Sequence, residues 1–410
     1  MEKKAVTLNL HGFSNWVLIA ILILSGLFGI RGSAYSAKAR GITDDTVKIG
    51  VILDQTGPAA NAVIPLTAGL RSLFRFTNEH GGIHGRKVKA LFEDDRYSIP
   101  MAISSFKKLI FRDEVISLIG PTSTSGAVAL LRSIDREKVP TFPASTAERM
   151  VKPFERYIFT IQDIYPGQMK VIVDYIIKDL KAKNPRIAFV FPDNEAGKAD
   201  LVPGLERLKY YNLEPVAKEV LNPGSIEATS QVMNLKKANV DYIIICGSLP
   251  QPAALLLREL KKFSLKVPLF GSWATCNEDV IRISGDASEL FYGVSSMASW
   301  YDEGPGVARM REITLKYEPG REKPYRGKTY TYGWVIATVK IEAMMRAGRN
   351  LDGEVLITSL EGMKNFDTGG LTGPISYSPT NHNGGSTWKI FKADPSTGKF
   401  IPITEWRSPE

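Results

Sequence analysis

The 410-residue sequence holds only two cysteines and four histidines. Neither set has the spacing of a metal site: His11 lies near the start, and His80, His84 and His382 are scattered. Cys246 ends one strand and Cys276 sits in the loop after the next, which leaves a disulfide between them open in an oxidising compartment. Also missing are the Gly-x-Gly-x-x-Gly, P-loop and Gly-x-Ser-x-Gly sequences, and no base stands beside a nucleophile along the chain. The expectation is therefore a protein that is not an enzyme and uses no metal or other cofactor. Basic residues exceed acidic ones to give a formal net charge of +9. They are dispersed without a nucleic-acid-binding motif, so no nucleic-acid partner is expected. The densest basic cluster is Arg309, Arg311, Lys316, Arg321, Lys323, Arg326 and Lys328. Glu312, Glu318 and Glu322 interrupt it, which suits a solvated face better than a docking patch.

Long apolar runs are absent as well, with one exception. Val17–Ile30 follows the basic Lys3 and Lys4 and precedes the small residues Gly32, Ser33, Ala34, Ser36 and Ala37. That order predicts a cleavable export signal over residues 1–37. The run is short for a membrane-spanning helix, and no cysteine lies near the cleavage region to carry a lipid. Removing residues 1–37 takes away three basic side chains and one acidic one and leaves a net charge of +7. The mature chain, about 370 residues, is long for one core and suits two domains. A periplasmic, soluble and monomeric protein is expected.

What the sequence does have is a hydroxyl-rich stretch between Val115 and Met150. The apolar run Val115–Ile119, closed by Gly120 and Pro121, reads as a buried strand. Thr122, Ser123, Thr124, Ser125 and Gly126 then open an amphipathic helix. Val139–Phe142 reads as the next strand, and Ala144, Ser145 and Thr146 lead into a second helix, with Ser145 and Glu148 at capping-box spacing. Two hydroxyl-lined helix N-termini would then lie side by side at the C-terminal edge of a parallel sheet, a place suited to a carboxylate.

The same grammar fills the chain. Strands are expected at 47–53, 87–93, 186–191, 214–220, 240–246 and 267–271. Helices are expected at 66–79, 100–111, 166–181, 198–211, 228–238 and 251–263. This alternation predicts doubly wound parallel sheets in an α/β fold. Later the rhythm changes to helices at 307–317, 329–347 and 354–363, then short strands near 373–377, 387–392 and 399–403.

The sequence resembles the type I periplasmic binding proteins, in particular the branched-chain amino-acid (Leu/Ile/Val) family of ABC-transporter receptors. The motifs that carry this are VKIGVILDQTGPAA (47–60), NEHGGIHGRKVKALFEDD (78–95), LIGPTSTSG (118–126), VPTFPASTA (139–147), LKVPLFGSW (265–273) and FDTGGLTGPISYSP (366–379). Each alone is weak; their order and spacing are specific, and the resemblance covers nearly all of residues 45–405. It implies two α/β lobes joined by a three-strand hinge and closing on a ligand that a membrane permease then receives. Lobe one would hold 38–161 and 299–372, and lobe two 162–298 and 373–410, with crossovers near 161–164, 296–300 and 371–375. The same fold also serves as the sensing module of signalling systems, a reading the export signal and the lack of an effector domain disfavour.

For the site, the resemblance implies that Ser123, Thr124, Ser125, Ala144, Ser145 and Thr146 hold a ligand carboxylate. Other positions depart from the family pattern. Amino-acid binders place an aromatic residue at Ala62, a tyrosine at Ala196 and, at Trp273, an acid that pairs with the ligand ammonium. Leu249 and Glu195 complete the expected set of ligand contacts. With no acid at 273, the expected ligand is an aromatic or bulky apolar carboxylate rather than a simple α-amino acid, because a buried unpaired ammonium is penalised. Asp54 and Glu195 are the candidates to replace the lost acid.

Overall fold

The computed structural model describes residues 39–317 and 326–410, so the export signal expected over 1–37 lies outside the described residues. The described chain forms two sheets. In the first, β1 (Thr46–Ile52), β2 (Lys87–Glu93), β3 (Ser117–Ile119) and β4 (Thr141–Phe142) run parallel in the order β2-β1-β3-β4. Three helices interleave with these strands, α1 (Ala60–Glu79), α2 (Ile99–Lys107) and α3 (Thr124–Glu137), and α4 (Tyr165–Asp174) follows and packs in the second core. Helix α1 begins six residues before the expected Leu66 and runs through Pro65. Its start is set by Asp54, whose carboxylate accepts the amides of Gly57 at 2.5 Å and Ala59 at 2.8 Å and turns the chain into the helix.

The second sheet starts with β5 (Ile187–Phe191) and α5 (Glu195–Tyr210), followed by β6 (Ala217–Val220) and α6 (Thr229–Lys237). Then come β7 (Tyr242–Ile245), α7 (Pro250–Lys262), β8 (Leu269–Gly271), α8 (Glu278–Ser284) and β9 (Phe291–Ser295). Strand order is β11-β10-β9-β8-β7-β5-β6, where β10 (Lys389–Asp394) and β11 (Lys399–Pro402) add an antiparallel edge to five parallel strands. Alternation along β7 shows the double winding. Ile243 and Ile245 join the core under α6, α7 and α8, whereas Ile244 and Cys246 join the core under α4 and α5.

The late helices α9 (Pro305–Tyr317), α10 (Lys328–Ala347) and α11 (Gly353–Glu361) return to the first core. Helices α1 and α10 touch backbone to backbone: a Cβ on Gly69 would lie 2.4 Å from the Tyr330 carbonyl oxygen, and one on Gly333 would lie 2.1 Å from that of Leu66. This close packing buries α10 almost all round. The chain thus passes three times between the sheets. The passages run side by side, with the Thr160 and Gly384 amides donating to His382 and Thr160 carbonyls at 3.0 Å, and the Ala298 amide donating to Leu371 at 2.8 Å.

Several expectations are corrected. Ala144–Thr146 leads only into a three-residue 3-10 turn, Glu148–Met150, not a helix. Residues 373–377 form no strand, only the isolated bridge between Phe366 and Ile375. Ile375 and Tyr377 pack in the first core and Trp388 in the second, so the third passage falls between them, later than 371–375. Strand β9 and helix α8 were not foreseen. Gly293 interrupts the apolar run of β9 where a Cβ would meet the Cys276 sulfur at 2.6 Å. Cys246 and Cys276 are both free and lie in different cores. In the basic cluster, Arg321 and Lys323 lie outside the described residues, while Arg326 and Lys328 are buried rather than solvated. Arg326 stacks over the Trp300 ring at 4.5 Å, and Lys328 reaches Glu278 at 3.1 Å.

Candidate functional site

A partly open cavity lies between residues of the two sheets' loops. From the first sheet's side it is lined by Ala59, Ala62, Val63 and Leu66 of the turn and helix after β1, by Tyr97, and by Thr122, Thr124 and Ala144 of the hydroxyl loops. From the second side come Ala196 and Asp200 of α5, Gly247, Ser248 and Leu249 after β7, and Ser272, Trp273 and Ala274 after β8. Tyr165 and Thr329 close it. Every loop sits at the C-terminal end of a parallel strand, where an α/β sheet presents helix N-termini.

The first hydroxyl loop is a true helix start. Ser123 caps α3, its Oγ accepting the Gly126 amide at 3.0 Å, so the amides of Thr124 and Ser125 head the helix beside the cavity. Thr124 lines the cavity; Ser123 and half-buried Ser125 do not. The second loop works differently. Ser145 Oγ lies 2.9 Å from Thr124 Oγ1, accepts the Tyr165 hydroxyl at 3.3 Å and accepts the Ala147 amide at 3.3 Å. These contacts replace the capping box expected with Glu148. Thr146 is fully buried behind the cavity wall, and its Oγ1 accepts Gln162 Nε2 at 3.3 Å. Gln162 Oε1 in turn accepts the Ser296 hydroxyl at 2.7 Å, so Thr146 belongs to the passages between the sheets.

Ala62, Ala144, Ala196, Leu249 and Trp273 all line the cavity. The Trp273 ring stacks on Tyr332 with centroids 5.2 Å apart and planes at 28°. Neither candidate for the missing acid is available there. Glu195 is exposed on the first turn of α5, and the Asp54 carboxylate is committed to the amides of Gly57 and Ala59.

The acid that does face the cavity is Asp200, one turn after Ala196 on the same helix and only 1 % exposed. Burial pushes its carboxyl up to about 7, against hydrogen bonds that favour the charged form. Its Oδ2 accepts the Gly247 amide at 2.6 Å and its Oδ1 accepts Gln168 Nε2 at 2.7 Å. Gln168 Oε1 accepts the Trp273 amide at 2.8 Å, tying α4, α5 and the two loops together. Burial also raises the Tyr165 phenol, and the Asp200 charge adds to the shift. Sequence reasoning missed Asp200, Gln168, Tyr165 and Ser248, whose buried Oγ has no hydrogen-bond partner. The signal for Asp200 was present as the spacing of four residues from Ala196. Among the described residues no group of three or more His, Cys, Asp or Glu side chains is placed to hold a metal ion. No described helix is long and apolar enough to cross a membrane.

A family model for periplasmic binding proteins matches residues 46–399. The chain is 22% identical over 323 residues to the leucine-specific-binding protein of Salmonella typhimurium, covering 78% of this chain and 86% of that one. It is 26% identical over 267 residues to the leucine-, isoleucine-, valine-, threonine- and alanine-binding protein of Pseudomonas aeruginosa, covering 65% and 70%. Among solved structures, a branched-chain amino acid ABC transporter protein from Thermus thermophilus with bound valine superposes with a TM-score of 0.83 at 24% identity, covering 90% of this chain and 97% of that one. A fatty acid ABC transporter substrate-binding protein from Thermomonospora curvata superposes with a TM-score of 0.81 at 23% identity, covering 91% and 95%.

Proposed function

The chain belongs to the periplasmic binding protein family, and from that premise we propose that it is an exported solute receptor that carries a small carboxylate to an ABC permease. The ligand class is an aromatic or bulky apolar acid, or an amino acid. The observation that carries this reading is the cavity between the two halves. It has the N-terminus of α3 and the Thr124 hydroxyl on one wall, and an apolar wall of Ala62, Leu66, Ala196 and Trp273. A helix N-terminus favours an anionic group, and the alanines with the Trp273 face leave room for a large tail.

Residues 38–161 with 299–372 move as one body in this proposal, and 162–298 with the C-terminal strands as the other. The last boundary is shifted to the stretch between Tyr377 and Trp388, where the packing changes core. The three adjacent passages absorb the motion, and closure over the ligand makes the form that the permease reads. The receptor acts as a monomer in the periplasm and turns nothing over.

A thermal-shift screen on ligand-stripped protein tests this. The panel is L-leucine, L-phenylalanine, 3-phenylpropionate, 4-methylpentanoate and octanoate. A ligand at about 100 times its Kd adds roughly 2.7 kcal/mol to stability, so at least one carboxylate should raise the melting temperature by several degrees. No response to any of them would refute the reading.

A further inference from the structure

Among the buried acidic and basic side chains of the described residues, Asp200 is the one that lines the cavity, and it does so without a counter-charge among them. No lysine, arginine or histidine pairs with it among the described residues. Both of its carboxyl oxygens accept hydrogen bonds. The Gly247 amide can only donate, and Gln168 is oriented by the Trp273 amide on its Oε1, so its NH2 group faces Asp200 Oδ1. The acid thus stands at the wall of a largely apolar cavity, where burial disfavours its charged form and a cation from the ligand would favour it. Facing it is an end of opposite character, the N-terminus of α3 with Thr124. Tyr165 lies between the two ends. Its hydroxyl donates to Ser145, the hydrogen-bond neighbour of Thr124, and it feels the Asp200 charge. The cavity is therefore polarised, with an acid on one wall and helix amides on another.

We infer that Asp200 is the specificity-determining residue of the cavity: it takes a positively charged nitrogen of a compact zwitterionic ligand whose carboxylate lies toward α3. The inference rests on the cavity being the ligand site. It departs from the sequence expectation in two ways: the acid is not lost but stands on α5, and uncharged-tail carboxylates are the weaker ligands.

The test uses matched pairs that differ only in the amino group: L-phenylalanine against 3-phenylpropionate, and L-leucine against 4-methylpentanoate. Titration calorimetry is run on ligand-stripped wild type, Asp200→Asn and Ala62→Trp, the last filling the cavity. At least one amino ligand should bind wild type ten-fold or more tightly than its deaminated partner. Asp200→Asn should weaken the amino ligand at least ten-fold and leave its partner within three-fold. If Ala62→Trp abolishes binding but the deaminated acids bind wild type as tightly as the amino acids, the inference about Asp200 is overturned while the cavity stands. That comparison is made on wild type, so it holds even if Asp200→Asn does not fold. If no probe binds, or Ala62→Trp leaves binding unchanged, the cavity reading fails and the inference falls with it.

Discussion

Lys328 and Glu278 form a buried ion pair between the two cores, and removing either partner alone should be far more damaging than removing both. Lys328 opens α10, a helix of the first core, yet its ammonium reaches into the second. Nζ lies 3.1 Å from Glu278 Oε1 and 4.3 and 4.5 Å from the ring centres of Phe391 and Phe400. The two side chains are 3 % and 0 % exposed. Burial works against the Lys328 charge, but Glu278 and nearby charges outweigh it and hold the pKa above the usual lysine range. The Ser299 hydroxyl donates to the same Oε1 at 3.0 Å, whereas Oε2 has no hydrogen-bond partner. Lys328→Met keeps the apolar stem against the two rings and leaves an uncompensated carboxylate. Breaking a buried pair in this way costs about 3–5 kcal/mol. Glu278→Gln leaves the ammonium with one amide oxygen and should cost a similar amount. In the double variant Lys328→Met/Glu278→Gln neither charge remains, and stability should return to within ~1–2 kcal/mol of wild type, since a buried pair contributes little net stability once its desolvation is counted. Urea unfolding of the four proteins closes the cycle. Single variants each costing less than ~1 kcal/mol, or a double variant costing the sum of the singles, would refute this account of the pair.

Two further outcomes are expected. Lys340 is buried in the first core with its ammonium 2.9 Å from Ser117 Oγ and 4.5 Å from the Phe142 ring centre, and burial pushes its pKa down to about 7. Above that pH the folded chain releases a proton that the unfolded chain keeps up to about 10.4, so wild-type stability should rise from pH 7 to 10 at up to ~1.4 kcal/mol per unit. Lys340→Met should flatten this rise in denaturant titrations. Thr146→Val removes an acceptor from Gln162 in the buried passages, not from the cavity. It should lower stability by about 1 kcal/mol while changing ligand affinity less than three-fold in calorimetry.

Where structure follows from local pattern, the sequence was legible. Strand β2 spans the expected residues 87–93, and Ser123 caps the helix that its loop was expected to open. Ser145 shows where local pattern stops. Its spacing to Glu148 is that of a capping box, but its hydroxyl is drawn to Thr124 and Tyr165, partners 21 and 20 residues away that only the fold supplies. Pro153, soon after, also removes an amide that a longer helix would need. The buried charges were illegible for one shared reason. A charged residue inside a helix is read as facing water, because that is where most such residues lie. Asp200, Lys328 and Lys340 each sit within helices that pack against other elements on the charged side, and periodicity along one helix does not report a second layer of packing.

These three buried charges divide by what surrounds them. Lys328 meets an acid, and Lys340 meets only a hydroxyl and a ring, inside the first core and away from the cavity. Asp200 meets donors on both oxygens but no cation, and of the three only it lines the cavity. Trp273 gives this placement its logic. With its ring stacked on Tyr332 it spans the two halves through apolar contact, which an acid at that position would not provide. Its backbone amide meanwhile fixes Gln168, and Gln168 holds Asp200. An acid moved onto α5 can thus keep a negative wall in the cavity while position 273 serves the contact between halves. A ligand held there as proposed would meet the Asp200 carboxyl from one side and a flat apolar face from the other. If instead Trp273 simply replaced the acid, nothing would require Gln168 and Asp200 to be buried and joined to its amide. Gln168→Leu separates the two possibilities: it should reduce affinity for an amino ligand through Asp200 while leaving its deaminated partner unaffected.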